Sequence, residues 1–171
     1  MANWKIIGSI GGGQNIDETS TYQNFPLGTI VTAKDIDGST NYGVGEFIYA
    51  KGVGSTAVGS AALIDANGFT TTLAQADDTG MIGCSMSAND ATSKYGWYQV
   101  SGLGVVKGLT GLADNAACFL VASGNAGSVD DAAVEGDLIY GMTTASALDT
   151  PSSGLALVNL VRPHVTNAGT D

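Results

Sequence analysis

Trp97-Tyr98-Gln99-Val100-Ser101-Gly102-Leu103-Gly104-Val105-Val106-Lys107 is the longest apolar run of the chain, and it reads as a β-strand. Aromatic and β-branched side chains fit a pleated, half-buried surface. Gly102, Gly104 and Gly108 argue against a helix and suit a bulge, a sharp bend or a close backbone approach within a strand. They do not suit a phosphate-binding turn, which needs a helix to follow the glycines.

Outward from this run, eight more of the same kind recur at roughly one per dozen residues: Thr29–Lys34, Glu46–Lys51, Ala61–Ile64, Thr70–Ala74, Met81–Met86, Cys118–Ala122, Leu138–Thr143 and Leu155–Val161. That rhythm predicts an all-β fold, a single antiparallel β-sandwich or β-barrel domain. Asp37-Gly38, Asn67-Gly68 and Gly124-Asn125 fall between the runs, where turns call for positive φ values. A short helix is expected near Leu112–Ala117 or near Asn89–Ser93. Gly80–Ala88 and Asp137–Ala145 echo each other weakly, which two similar strands of one barrel explain without a repeat architecture.

Residues 1–26 lack an alternating apolar face and read as an extended N-terminal arm, followed by a β-rich core over 27–162 and a tail over 163–171. The arm carries Trp4, Ile6, Ile7 and Ile10 at one end and Tyr22, Phe25 and Leu27 near the other. One expectation is that these side chains grip a neighbouring subunit or another protein surface, with the arm adding a strand to a partner's sheet edge. The other is a frayed terminus.

The 171 residues include 16 Asp+Glu against 6 Lys+Arg, a formal net charge of −10. So few basic residues disfavour nucleic acid and an anionic membrane surface as partners, because both are bound through clustered Lys and Arg. Between Lys107 and Arg162 there is no basic residue, while Asp114, Asp130, Asp131, Glu135, Asp137 and Asp149 all fall there, so this part of the chain reads as a set of acidic, solvated loops. The first residues carry too short an apolar core for a cleaved leader, so synthesis in a cytoplasm is expected.

Residues suited to chemistry are scarce. His164 is the single histidine and follows Pro163, with no serine in a nucleophile elbow, so no enzyme activity and no cofactor are expected. Gly8-Ser9-Ile10-Gly11-Gly12-Gly13 has the wrong spacing for a phosphate cradle. Asp35, Asp37, Ser39 and Asn41, with Glu46 eleven residues after Asp35, resemble a calcium loop, although Thr40 stands where that loop needs glycine; an Asp-rich turn is the alternative. Asp77-Asp78 and Asp130-Asp131 point to opposite sides and read as turn residues. Cys84 and Cys118 lack paired metal or redox spacing and read as small buried hydrophobes, with one disulfide the alternative.

Three stretches carry a family resemblance: Leu27-Gly28-Thr29-Ile30-Val31 with Ala33, Gly45-Glu46-Phe47-Ile48-Tyr49-Ala50-Lys51-Gly52-Val53, and Tyr95-Gly96-Trp97-Tyr98-Gln99-Val100-Ser101-Gly102. From about Leu27 to Val161 the chain resembles the capsid decoration, or cement, proteins of tailed bacteriophages. The resemblance implies a β-rich homotrimer on the outer surface of the virion, clamping neighbouring subunits of the major capsid protein, often through an extended terminal arm. It carries over no catalytic residues. The alternative is a head-fibre or receptor-binding module, in which Tyr95, Trp97 and Tyr98 stack on carbohydrate.

Overall fold

The computed structural model describes residues 2–8, 13–37 and 41–166. It is all-β, with a single large antiparallel sheet. Its strands are β1 (Trp4–Ile6), β2 (Ile30–Asp35), β3 (Val44–Lys51), β4 (Ala61–Ile64), β5 (Thr71–Leu73), β6 (Gly80–Ser85), β7 (Tyr95–Lys107), β8 (Ala117–Leu120), β9 (Val129–Asp130), β10 (Leu138–Thr144) and β11 (Leu155–Val165). All nine expected runs are strands. The two others, β1 and β9, are two or three residues long, too short for periodicity to register.

Both expected helices are absent: Leu112–Ala117 is turn leading into β8, Asn89–Ser93 is an irregular loop, and the one helical turn is Ser123–Asn125. Leu112 sits wholly inside the core, so its apolar neighbourhood reflects barrel packing and not an amphipathic helix. Turn chemistry also differs in detail. After Asn67-Gly68 it is Phe69 that takes positive φ (48°), and after Gly124-Asn125 it is Gly127 (85°). In the first case Asp65 organises the turn, its Oδ1 accepting from the Asn67 N–H at 3.0 Å and its carbonyl from the Phe69 N–H at 2.8 Å. Gly38 lies outside the described residues.

Strand β7 is the spine. Along one edge it pairs with β3, from Tyr95↔Lys51 to Ser101↔Glu46. Along the other it pairs first with β6, at Tyr98 and Gln99, and then with β11, from Ser101↔Val161 to Lys107↔Leu155. The sheet continues through β10 and β8 to β9, whose Val129 carbonyl accepts from the Leu109 N–H at 2.9 Å, just past the end of β7. That return makes an open barrel around Val106, Leu112, Cys118, Leu120, Val129, Ile139, Met142, Val158 and Leu160.

Strands β2 and β3 extend from the other edge of the spine, and β1 adds to β2 with Trp4↔Asp35, Lys5↔Lys34 and Ile6↔Ala33. Alternation then sorts the side chains. Val31, Ala33, Phe47, Tyr49 and Trp97 face one side, into a second core with Trp4, Ile16 and Phe25. Ile48, Ala50 and Tyr98 face the other side, where Ala62 and Ile64 of β4 and the Phe69 ring cover them.

The N-terminal segment therefore belongs to the same body as the rest, and so do Pro163, His164 and Val165, which lie within β11. The expected boundaries at 26/27 and 162/163 fall inside continuous structure. Gln14 explains why a glycine- and polar-rich segment docks so firmly. Its buried amide donates to the carbonyls of Glu18 (2.7 Å) and Tyr95 (2.9 Å), and accepts from the Tyr49 hydroxyl (2.7 Å) and the Asn24 amide (3.1 Å). A buried amide with every hydrogen bond made fixes its surroundings, because breaking any one leaves a desolvated polar group.

Cys84 and Cys118 are free, buried thiols of the barrel core. Burial pushes both up, Cys118 to about 12 with the Asp131 charge adding to the effect, and Cys84 further with Cys118 adding. A thiol whose folded pKa lies above its unfolded value of about 8.5 contributes stability that is complete below that pH and is lost as pH rises through the folded pKa. Neither thiol should react with a disulfide reagent in the native protein at pH 8. Both should react after unfolding in urea, and the urea midpoint should fall steadily from about pH 9 upward.

Candidate functional site

The coverage of the β2–β3–β7 layer stops partway. Beyond Ile48, the side of the sheet that β4 and Phe69 cover is bare. Ile30, Thr32, Lys34 and Ile36 from the β2 line, Val44 and Glu46 from β3, and Lys5 and Ile7 from the β1 line all emerge there. Register fixes the rows: Lys5 lies beside Lys34 and Lys34 beside Val44, while Thr32 lies beside Glu46, Glu46 beside Ser101 and Ser101 beside Val161. Ile7 joins the second row through its N–H, which donates to the Thr32 carbonyl at 2.8 Å.

Among the described residues, eight large hydrophobics are exposed, and four of them, Ile7, Ile30, Ile36 and Val44, are on this face. Val44 is 54% exposed. Scattered apolar residues on a surface are ordinary, but a contiguous patch of this kind marks an interaction surface. Burying what remains open of these four side chains would contribute about 3–6 kcal/mol, at about 1.5–3 kcal/mol for a fully buried one. Since association itself costs about 4–15 kcal/mol, apolar burial alone does not hold a partner here and polar contacts must add to it.

The same face concentrates positive charge. Three of the six basic residues of a chain with net charge −10, Lys5, Lys34 and Arg162, stand on or beside it. Arg162 reaches across to Glu46, with Nη2 3.2 and 3.0 Å from the two carboxylate oxygens. Lys5 and Lys34 form no ion pair with any described residue.

Several residues singled out in the sequence have other employment. Trp4 is buried against Phe47 (ring centroids 4.9 Å) and Tyr42 (6.0 Å), and Phe25 against Trp97 (5.2 Å) and Tyr49 (5.4 Å), so both fill their own core and are not offered to a partner. Ile6 is half-buried against the same cluster. Trp4-Lys5-Ile6 does alternate in, out and in, but three residues are too few to distinguish a docked strand from an arm. Ile7 and Tyr22 are exposed, and Ile10 lies outside the described residues. The proposed sugar platform is dismantled: Trp97 and Tyr98 are fully buried, and Tyr95 stacks on Tyr49 at 6.3 Å.

The calcium-like residues are also engaged. Asp35 accepts from the N–H groups of Asn3 and Asp37, both at 3.0 Å, and of Tyr42 at 3.5 Å. Burial works to raise its carboxyl pKa, but these donors outweigh it and hold the pKa below the ordinary value. Glu46 is taken by Arg162, and Ser39 lies outside the described residues. His164 is exposed on β11 with its ring stacked on Tyr140 at 5.6 Å. Among the described residues no three His, Cys, Asp or Glu side chains converge on a metal-sized site.

Matching against protein-family models, curated proteins and solved structures returns no similar protein.

Apart from Ile7, singled out with the arm, and Glu46, singled out as a carboxylate, the residues of the bare face went unnoticed in the sequence because each belongs to a strand whose burial pattern is otherwise ordinary. The signal that was present is apolar side chains at both parities of the strand: Ile30 with Val31, and Val44 with Phe47. Such a strand is built to be covered on both sides.

Proposed function

We propose that this chain is a structural protein of a tailed-phage head, a decoration (cement) protein that binds the outer surface of the shell as a homotrimer and stabilises contacts between major capsid subunits. The observation that carries the reading is the bare face of β1, β2 and β3, an apolar surface bearing Lys5 and Lys34 on an otherwise acidic molecule. A protein that acts by burying surface needs such a face and no nucleophile. The three stretches that resemble decoration proteins fall on or around β2, β3 and β7, three adjacent strands of the sheet, two of which supply Ile30, Lys34, Val44 and Glu46 to that face. The strongly negative charge suits a position outside the shell, away from packaged DNA.

The test is co-sedimentation with tailed-phage shells that lack a decoration protein. The wild-type protein is expected in the pellet at saturating stoichiometry. Val44→Asp combined with Ile30→Asp is expected to weaken pelleting at least about tenfold, since placing even one carboxylate in an apolar contact exceeds the 1.4 kcal/mol that corresponds to that factor. Wild-type protein that stays in the supernatant at all concentrations would refute the reading.

A further inference from the structure

On the other side of the β2–β3–β7 layer from the bare face, the second core leaves a cavity of about 50 Å³. Trp4, Tyr42, Val58, Met86 and Val105 form its walls, Gln99 and Gly104 line it from β7, and the exposed Asp17 stands at its margin. No basic side chain lines it among the described residues, so an anion would find no counter-charge there.

Gln99 decides what the cavity takes. Its side chain is fully buried, and Nε2 donates to the carbonyls of Ser101 (3.1 Å) and Leu103 (3.0 Å), which fixes the carboxamide because both partners can only accept. Among the described residues Oε1 has no hydrogen-bond partner. A buried acceptor left unpaired carries its full desolvation cost, so a molecule that brings it a donor gains more there than in water. Gly104 keeps the approach clear, since a Cβ there would lie 2.6 Å from Oε1. Water matches the space poorly: a buried water takes about two to four polar partners, and these walls are ring, thioether and aliphatic groups.

The remaining groups favour a cation. The Trp4 and Tyr42 rings stand with centroids 6.0 Å apart and planes tilted by 54°, and an ammonium group within about 6 Å of such rings is attracted to their π faces. Asp17 forms no ion pair with any described residue, and the chain as a whole has a net charge of −10. Val58 and Met86 offer carbon and sulfur to a short apolar stem. We propose that the cavity binds a small alkylammonium ion, with an ammonium N–H donating to Gln99 Oε1, the charge facing the two aromatic rings, and the Asp17 carboxylate supplying the counter-charge at the margin. The site is separate from the bare face and does not depend on the decoration reading.

Titration of the full chain with propylammonium chloride at constant ionic strength tests this, read from the two indole N–H resonances in heteronuclear NMR spectra. The Trp4 signal should shift and saturate in the millimolar range, while that of Trp97, which does not line the cavity, should barely move. Propanol, equal in length without the charge, and tetramethylammonium, charged without an N–H, should each bind at least about tenfold more weakly. Asp17→Asn, at an exposed position, should weaken propylammonium severalfold and leave the rest of the spectrum in place. Val58→Phe should fill the cavity and abolish the shift. Absence of a saturable Trp4 shift, an affinity for either control equal to that for propylammonium, or binding that survives both substitutions unchanged would each overturn the proposal.

Discussion

Replacing Trp97 by alanine is expected to lower the free energy of unfolding by about 3–5 kcal/mol, the range for a large aromatic removed from a closed core. Trp97 has no exposed surface and packs against β3 and the N-terminal segment. Its ring lies 4.9 Å from Tyr49 on β3 and 5.2 Å from Phe25, while its Nε1–H donates to the Gln14 carbonyl at 3.4 Å. The loss is therefore both a cavity and a loosened N-terminal segment. Urea denaturation should show a lower midpoint, and limited proteolysis of the folded variant should cut first within residues 13–25. Trp97→Phe keeps most of the volume and forgoes the hydrogen bond, so a loss of about 1–2 kcal/mol is expected. A Trp97→Ala variant as stable as wild type would show that the aromatic cluster does not hold the N-terminal segment.

Gly102→Val is expected to cost about 3–5 kcal/mol and, in the fraction that folds, to weaken association through the bare face. Gly102 has φ of +95°, which β-branched residues adopt only under strain, and a Cβ there would lie 2.5 Å from the Val44 carbonyl oxygen and 3.0 Å from the Gly45 Cα. Both obstacles are backbone, so no rotamer change relieves them. Moving β3 away from β7 at this point displaces Val44 and Glu46, two members of the face. The check is a paired measurement of urea stability and co-sedimentation with phage shells. Gly102→Ala should show the same direction with a smaller loss, since it adds the Cβ without the branched methyls. A fully stable Gly102→Val would mean that β7 does not need its bend.

The glycines of β7 also show where reading the sequence reached and where it stopped. An apolar run interrupted by Gly102 and Gly104 already called for a bulge, a bend or a close backbone approach, because local sterics act within a few residues and do not depend on the rest of the chain. The same locality made nine strands legible, together with the burial of Cys84 and Cys118. What β7 bends around was not legible. Its pairing with β3, β6 and β11 joins residues up to about sixty positions apart, and alternation within one strand carries no record of its neighbours. For the same reason the N-terminal residues looked like an arm: the partners that bury Trp4, Gln14 and Phe25 are Phe47, Tyr49, Tyr95 and Trp97, supplied from distant strands. The bare face belongs to this second kind of information. Ile7, Ile30 and Val44 became a patch, and Lys5 and Lys34 an opposed pair, only when strand register brought together residues that the sequence keeps far apart.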